Sequence, residues 1–232
     1  MIIDWRSFLK HRTPEDKKAF PVGSRVYFGH QGQGKSLAMV AYAFKLKEEF
    51  PRCVVFSNMV LNGIEYHLIK EDEDVKTALS YQNGKYGVLV LLDEAHLYFN
   101  KKNGISLDVL TAISQQRKDR RRIVFSSQIW EELDISLRKQ VKEIVRCKKL
   151  FNMIIQTVQD GETLRYNKLE STYEADKIRT EIFKMNDEYF NRYNTYQKIV
   201  TNEEYDGSRT RAAPSAPAAV VTLNTKKGIL NV

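Results

Sequence analysis

Gly29 to Ser36 reads GHQGQGKS, which fits the pattern G-x-x-x-x-G-K-S. Its three glycines allow a tight concave loop whose successive backbone N–H groups point at anionic oxygens. If a helix starts at Lys35, its dipole adds to the attraction for a phosphate. Gly29, His30, Gln31, Gly32, Gln33, Gly34, Lys35, Ser36 and Leu37 are therefore candidate nucleotide-binding positions. Lys35 would reach the β- and γ-phosphates of ATP, and the Ser36 hydroxyl would ligate Mg²⁺. A second constellation follows at Gly87 to Glu94, GVLVLLDE. An apolar run ending in two acids places those acids at a strand end, where ligands of parallel sheets bind. Asp93 is the candidate Mg²⁺ ligand and Glu94 the general base that polarises water. A third run, RIVFSSQ, ends in Ser126-Ser127-Gln128. Gln128 is the candidate sensor of the γ-phosphate, and Asn58, after the run RCVVFS, is a weaker candidate facing the same place.

These residues need a scaffold that brings strand ends to one rim. Four apolar runs read as parallel-sheet strands: Arg25–Gly29, Arg52–Asn58, Gly87–Asp93 and Arg122–Ser127. Helical periodicity lies between them, with Leu37, Val40, Ala41 and Phe44 on one face of Lys35–Phe50. Leu107–Gln116 and Asp74–Tyr81 are the other candidate helices. Strands alternating with helices predict an α/β fold with a mostly parallel central sheet flanked by helices. Asp160-Gly161 signals a hairpin turn between Lys142–Asp160 and Glu162–Lys168. Ser171–Ile199 reads as a helix carrying Ile178, Ile182, Phe183, Met185 and Phe190. Residues 1–205 thus form one domain, with a core of about 22–168 and a helical extension of about 171–200; AAPSAPAA lies in a flexible tail over 206–232.

With 232 residues, 42% apolar, the chain is long enough for a sizeable core. No apolar run approaches the roughly 20 residues of a membrane span, and the charged first residues exclude a signal peptide. Cys53 and Cys147 fit neither a disulfide framework nor a zinc site and imply a cytosolic setting. The net charge is +8, and two runs exceed it: Arg117–Arg122 carries +4 and Arg138–Lys149 carries +5. Such runs can present a positive face to a polyanion. Lys118, Arg121, Arg122, Lys139 and Lys142 are candidate DNA contacts. Arg117, Arg120 and Arg138 are candidates for an arginine supplied in trans to a neighbouring subunit, and Arg146 is a further one. A nucleotide kinase would use the same loop, but the adjacent acids favour water as the phosphate acceptor. A nucleotide-dependent switch without turnover is the other alternative. Asp93 to His96 also spells DEAH, but a helicase of that type needs a second RecA-like domain, and His96 reads as a packing residue.

The combination of GHQGQGKSL, VVFSNM, VLVLLDEAHLYF, QQRKDRRRIVFSSQ and ELDISLRKQV resembles the ATPase domain of the Zot-like family of filamentous-phage assembly proteins. More distantly it resembles the FtsK/HerA group, which includes viral genome-packaging ATPases. The resemblance covers about Arg25 to Leu150. It implies a P-loop NTPase with a RecA-like ASCE core, assembled as a homo-oligomeric ring, in which ATP hydrolysis moves DNA during virion assembly. It implies the phosphate-loop role for Lys35 and Ser36, Mg²⁺ binding by Asp93, water activation by Glu94 and sensing by Gln128. Zot-type assembly proteins carry a membrane span after this domain, and none is expected here. The expectation is therefore a motor in the host cytoplasm or the virion that threads DNA into a capsid, with capsid or portal proteins as partners, and extrusion as the alternative.

Overall fold

A computed structural model describes residues 19–99, 101, 104–168, 172–185, 191–193 and 220–221. Among these, nine strands join one sheet in the order β10-β7-β6-β1-β5-β4-β2-β3-β11. The first five in sequence are β1 (Gly23–Phe28), β2 (Val54–Ser57), β3 (Tyr66–Leu68), β4 (Val88–Leu92) and β5 (Arg121–Ser127). They are followed by β6 (Val141–Leu150), β7 (Met153–Asp160), β10 (Lys177–Lys184) and β11 (Val220–Val221). From β6 across to β11 every pairing is parallel, and β7 alone runs against the other strands, antiparallel to both β6 and β10. A separate ribbon, β8 (Arg165–Asn167) with β9 (Thr172–Glu174), lies between β7 and β10 in sequence.

Helices cover both faces, as continuously apolar strands require. On one side α1 (Lys35–Glu49) packs Leu37, Met39, Val40, Ala43 and Phe44 onto Tyr27, Leu89, Leu91, Val124 and Val145. On the other, α2 (Asp72–Ser80) and α3 (Leu107–Ser114) pack Val75, Leu79, Val109 and Ile113 onto Val26, Val88, Val90, Leu92, Ile123 and Phe125. Strand β4 thus splits its side chains by the period of two: Leu89 and Leu91 to α1, Val88, Val90 and Leu92 to α2 and α3. The four expected strands and three expected helices form, with no bound shifted by more than two residues. A short helix, α4 (Ile135–Arg138), is capped by the Asp134 carboxylate accepting from Ser136 N–H and precedes β6.

Three expectations change. The long hairpin turns at Phe151-Asn152, where Leu150 faces Met153, and not at Asp160-Gly161. Phe151 takes the left-handed conformation there, φ 51°, while the Asp160 carboxylate accepts from Glu162 N–H and starts a single helical turn. Lys177–Lys184 is a strand, not part of a helix. Pairing with β7 satisfies its backbone, and its side chains follow a period of two: Phe183 packs on the core, whereas Ile178 and Ile182 stay exposed. Thr172–Glu174, also within the expected helix, is the strand β9. Residues 171, 186–190 and 194–199 of that expected helix lie outside the described residues, as does most of the tail, whose Val220–Val221 pairs with β3.

The third change concerns charge. Arg121 and Arg122 are 0% and 4% exposed, so neither contacts DNA. They start β5, and a strand in mid-sheet buries whatever it carries. Arg121 donates to the carbonyls of Ala112 and Tyr81 and pairs with Asp119. Arg122 donates to Tyr42 Oη and pairs with Glu143, which also pairs with buried Arg25 and with Arg179. Burial alone would push the Glu143 carboxyl up; the guanidiniums of Arg122, Arg25 and Arg179 outweigh it and hold the carboxyl below its usual range. This carboxylate ties β6 to β1, β5 and β10. Glu143→Ala should lower stability by about 3 kcal/mol, because buried Arg122 loses its counter-charge and buried Arg25 keeps only its pair with Glu181. The depressed carboxyl contributes fully above its unfolded pKa of about 4.3. Its contribution disappears as pH falls through the lower folded value. Urea unfolding between pH 7 and pH 3 should show an acid loss in the parent that is smaller in the variant.

Candidate active site

The functional side chains meet at the C-terminal rim of β1, β5, β4 and β2. Residues Gly29 to Gly34 leave β1 and enter α1, with Gly29, Gly32 and Gly34 all at positive φ. Gly34 has two reasons to be glycine. Its φ is 80°, and a Cβ there would lie 2.4 Å from Ile154 Cδ1 of β7. The hairpin β6–β7 therefore covers one flank of the loop. It also grips the loop by a hydrogen bond, Lys149 N–H donating to Gln33 Oε1 at 2.9 Å.

Lys35 opens α1 almost fully buried, and its ammonium donates to the His30 carbonyl at 3.0 Å. Burial pushes its pKa down, and nearby Asp93, Cys147 and Glu94 oppose that shift. His30, Gln31 and Gly32 are exposed along the loop; Leu37 turns its side chain into the core and leaves only its backbone at the helix start. Ser36 donates to the Asp93 carboxylate, with contacts of 2.9 and 3.1 Å to its two oxygens. The phosphate loop and the acid pair thus form one site.

Three polar strand ends hold that acid pair. The Asn58 amide takes Asp93 N–H at 2.8 Å and gives to Asp93 C=O at 2.9 Å. Ser126 accepts from Glu94 N–H at 2.9 Å and donates to the Asp93 carboxylate. Gln128 donates from Nε2 to Glu94 Oε1 at 3.0 Å. Glu94 itself is left-handed, φ 50° and ψ 54°, a conformation that costs about 1–3 kcal/mol and persists where its surroundings fix it. Ser127, by contrast, bonds to the Ile129 carbonyl and turns away.

A hydroxyl and a carboxylate within hydrogen-bond distance make a pair of hard oxygen ligands. They suit Mg²⁺, which takes few protein ligands and completes its shell with phosphate oxygens and water. Among the described residues no cluster of three His, Cys, Asp or Glu side chains competes with this place.

A family model for zonular occludens toxin (Zot) matches residues 26–198. The chain belongs to the Zot family. The N-terminal domain of zonular occludens toxin from Neisseria meningitidis has the same fold: TM-score 0.55 at 16% identity, over 74% of this chain and 98% of that one. The genome packaging NTPase B204 from Sulfolobus turreted icosahedral virus 2, in complex with ATP-gammaS, aligns with TM-score 0.47 at 12% identity, over 67% and 96%. The flagellar accessory protein FlaH from Methanocaldococcus jannaschii aligns with TM-score 0.45 at 14% identity, over 75% and 92%. No curated protein sequence matches the chain. The fold is that of a P-loop NTPase.

The candidate arginines do not join this cluster. Arg117 and Arg120 are exposed in the turn before β5, and Arg138 is half-buried before β6, all at the opposite end of the sheet. Lys118, Lys139 and Lys142 are exposed at that same end. Arg146 sits level with Phe28 beside the loop, but it donates to Gln159 and to the Tyr173 carbonyl. Sequence reasoning missed the clamp made by Ser126 and the covering contact of Ile154. A polar residue at a strand end was the signal for the first; nothing local signals the second. Ser126→Ala strips Glu94 N–H of its acceptor and should cost about 1–3 kcal/mol in urea unfolding.

Proposed function

We propose that the chain is an ATPase motor that moves DNA during virion assembly, threading a genome into a capsid. The observation that carries hydrolysis is the chain of contacts Ser36–Asp93–Ser126–Glu94–Gln128 at one rim. The loop amides and Lys35 bind the triphosphate. Ser36 and Asp93 are the Mg²⁺ ligands; when bound there, Mg²⁺ would supply charge neutralisation on the β- and γ-phosphate oxygens. Glu94 takes a proton from water that attacks the γ-phosphate in line, as the bond from the γ-phosphorus to the β–γ bridging oxygen breaks and ADP leaves. Gln128, bonded to the Glu94 carboxylate, couples that carboxylate to the end of β5 and so to the state of the γ-phosphate.

Family membership supplies the DNA and virion-assembly part of the proposal. Charge is consistent with it. Exposed Arg117, Lys118, Arg120, Lys139 and Lys142 lie at the sheet end opposite the loop, where they can meet a phosphate backbone without reading bases. In a homo-oligomeric ring, one of Arg117, Arg120 and Arg138 would serve the neighbouring subunit's γ-phosphate. Capsid or portal proteins are the proposed docking partners, in the host cytoplasm or the virion. No helix among the described residues is long and apolar enough to cross a membrane.

Glu94→Gln should retain ATP binding and lose about 100-fold or more in turnover, the usual contribution of a general base. A variant with unchanged turnover would remove Glu94 from the chemistry, and a variant that still assembles virions would make the protein a switch. DNA of any sequence should stimulate the parent ATPase, with binding that weakens steeply as salt rises. An active ATPase whose rate and solution behaviour ignore DNA would end the motor proposal while leaving hydrolysis intact.

A further inference from the structure

A triphosphate has only one direction in this site. Its reacting end must meet Glu94 and Gln128, which stand at the ends of β4 and β5. These strands lie on one side of β1, and β6 and β7 lie on the other. The nucleoside end therefore leaves the loop over the β6–β7 hairpin. That hairpin meets the phosphate loop at three residues. Lys149 N–H bonds to Gln33, Ile154 fills the space beside Gly34, and the Cys147 carbonyl lies against Gly29. Two residues beyond Lys149, at the tip, Phe151 is 85% exposed and Leu150 is 42% exposed. Phe151 is also left-handed, which is rare for a bulky side chain; glycine and asparagine are the usual occupants of such hairpin positions. A large, solvated aromatic ring thus stands at the hairpin tip, two residues from the contact of Lys149 with the loop, on the side where a base must emerge.

We propose that Phe151 is the stacking platform for the nucleobase of the bound nucleoside triphosphate. The proposal rests on the phosphate-loop assignment of Gly29–Ser36 and adds the base subsite to it. A phenyl face offers area and no hydrogen-bond code, so it selects by stacking surface. Adenine and guanine nucleotides should bind alike, and pyrimidine nucleotides more weakly. Exposed Lys148 and Lys149 on the same tip would also suit a nucleic acid strand. The contacts between the hairpin and the phosphate loop favour the nucleotide.

Calorimetric titration of the full chain with Mg-ADP and with Mg-tripolyphosphate separates the base from the phosphates. Phe151→Ala should weaken ADP about tenfold, the order of one base–aromatic stack, and leave tripolyphosphate unchanged. Phe151→Trp should restore ADP affinity, and its indole fluorescence should be quenched by ADP. Parent and alanine variant binding ADP equally would overturn the platform alone, as would equal weakening of both ligands. Unchanged ADP binding with weakened binding of a single-stranded oligonucleotide would reassign the tip to DNA. A parent that binds neither ADP nor tripolyphosphate would overturn the phosphate-loop assignment and this proposal with it.

Discussion

The constraint on which the site depends is the placement of β5 between β1 and β4. Parallel strands in tight register end at one level, and their last backbone groups have no further strand to pair with. A buried peptide group left unpaired costs about as much as a lost hydrogen bond. At this rim the groups are satisfied by side chains: Asn58 closes both backbone groups of Asp93, and Ser126 closes Glu94 N–H. The same side chains orient the two acids. Sheet termination and active-site geometry are therefore one problem with one solution. The register sets its dimensions, with Tyr27 opposite Ser126 and Leu92 opposite Phe125.

Much of this was legible because it is local. A glycine-rich loop between an apolar run and an amphipathic helix declares its own geometry, and an acid pair closing an apolar strand declares which rim it faces. Asn58, Asp93, Glu94 and Gln128 were placed at one site by strand ends alone, and they meet there. The arginine run was misleading for a physical reason. Charge in sequence says nothing of register; once β5 is central, Arg121 and Arg122 enter the interior with it. What decides their cost is the partner. Glu143, far away in sequence, supplies the opposite charge for Arg122 and Arg25.

The hairpin and the last strand were illegible for a different reason. Asp160-Gly161 is a good turn in isolation, but long-range pairing of β7 with β6 and β10 moves the reversal to Phe151-Asn152. The segment Lys177–Lys184 has enough lysine, glutamate and isoleucine to pass for helix. Its tertiary setting overrides this, because β7 offers an open edge and Glu143 offers a counter-charge for Arg179. Propensity for strand reflects such fit to neighbours more than any property of the segment.

These long-range contacts reach the chemistry. Glu143 fastens the N-terminal end of β6 to buried arginines of β1 and β5. The C-terminal end of the same strand, through Lys149, holds Gln33 of the phosphate loop, and its partner β7 presses Ile154 against Gly34. Strand β6 is continuous between these ends, ten residues long, and a paired strand bends little. A buried ion cluster adds little net stability over an apolar one of the same shape, so its value here is positional. It fixes where β6 lies, and hence the wall against which the phosphate loop closes.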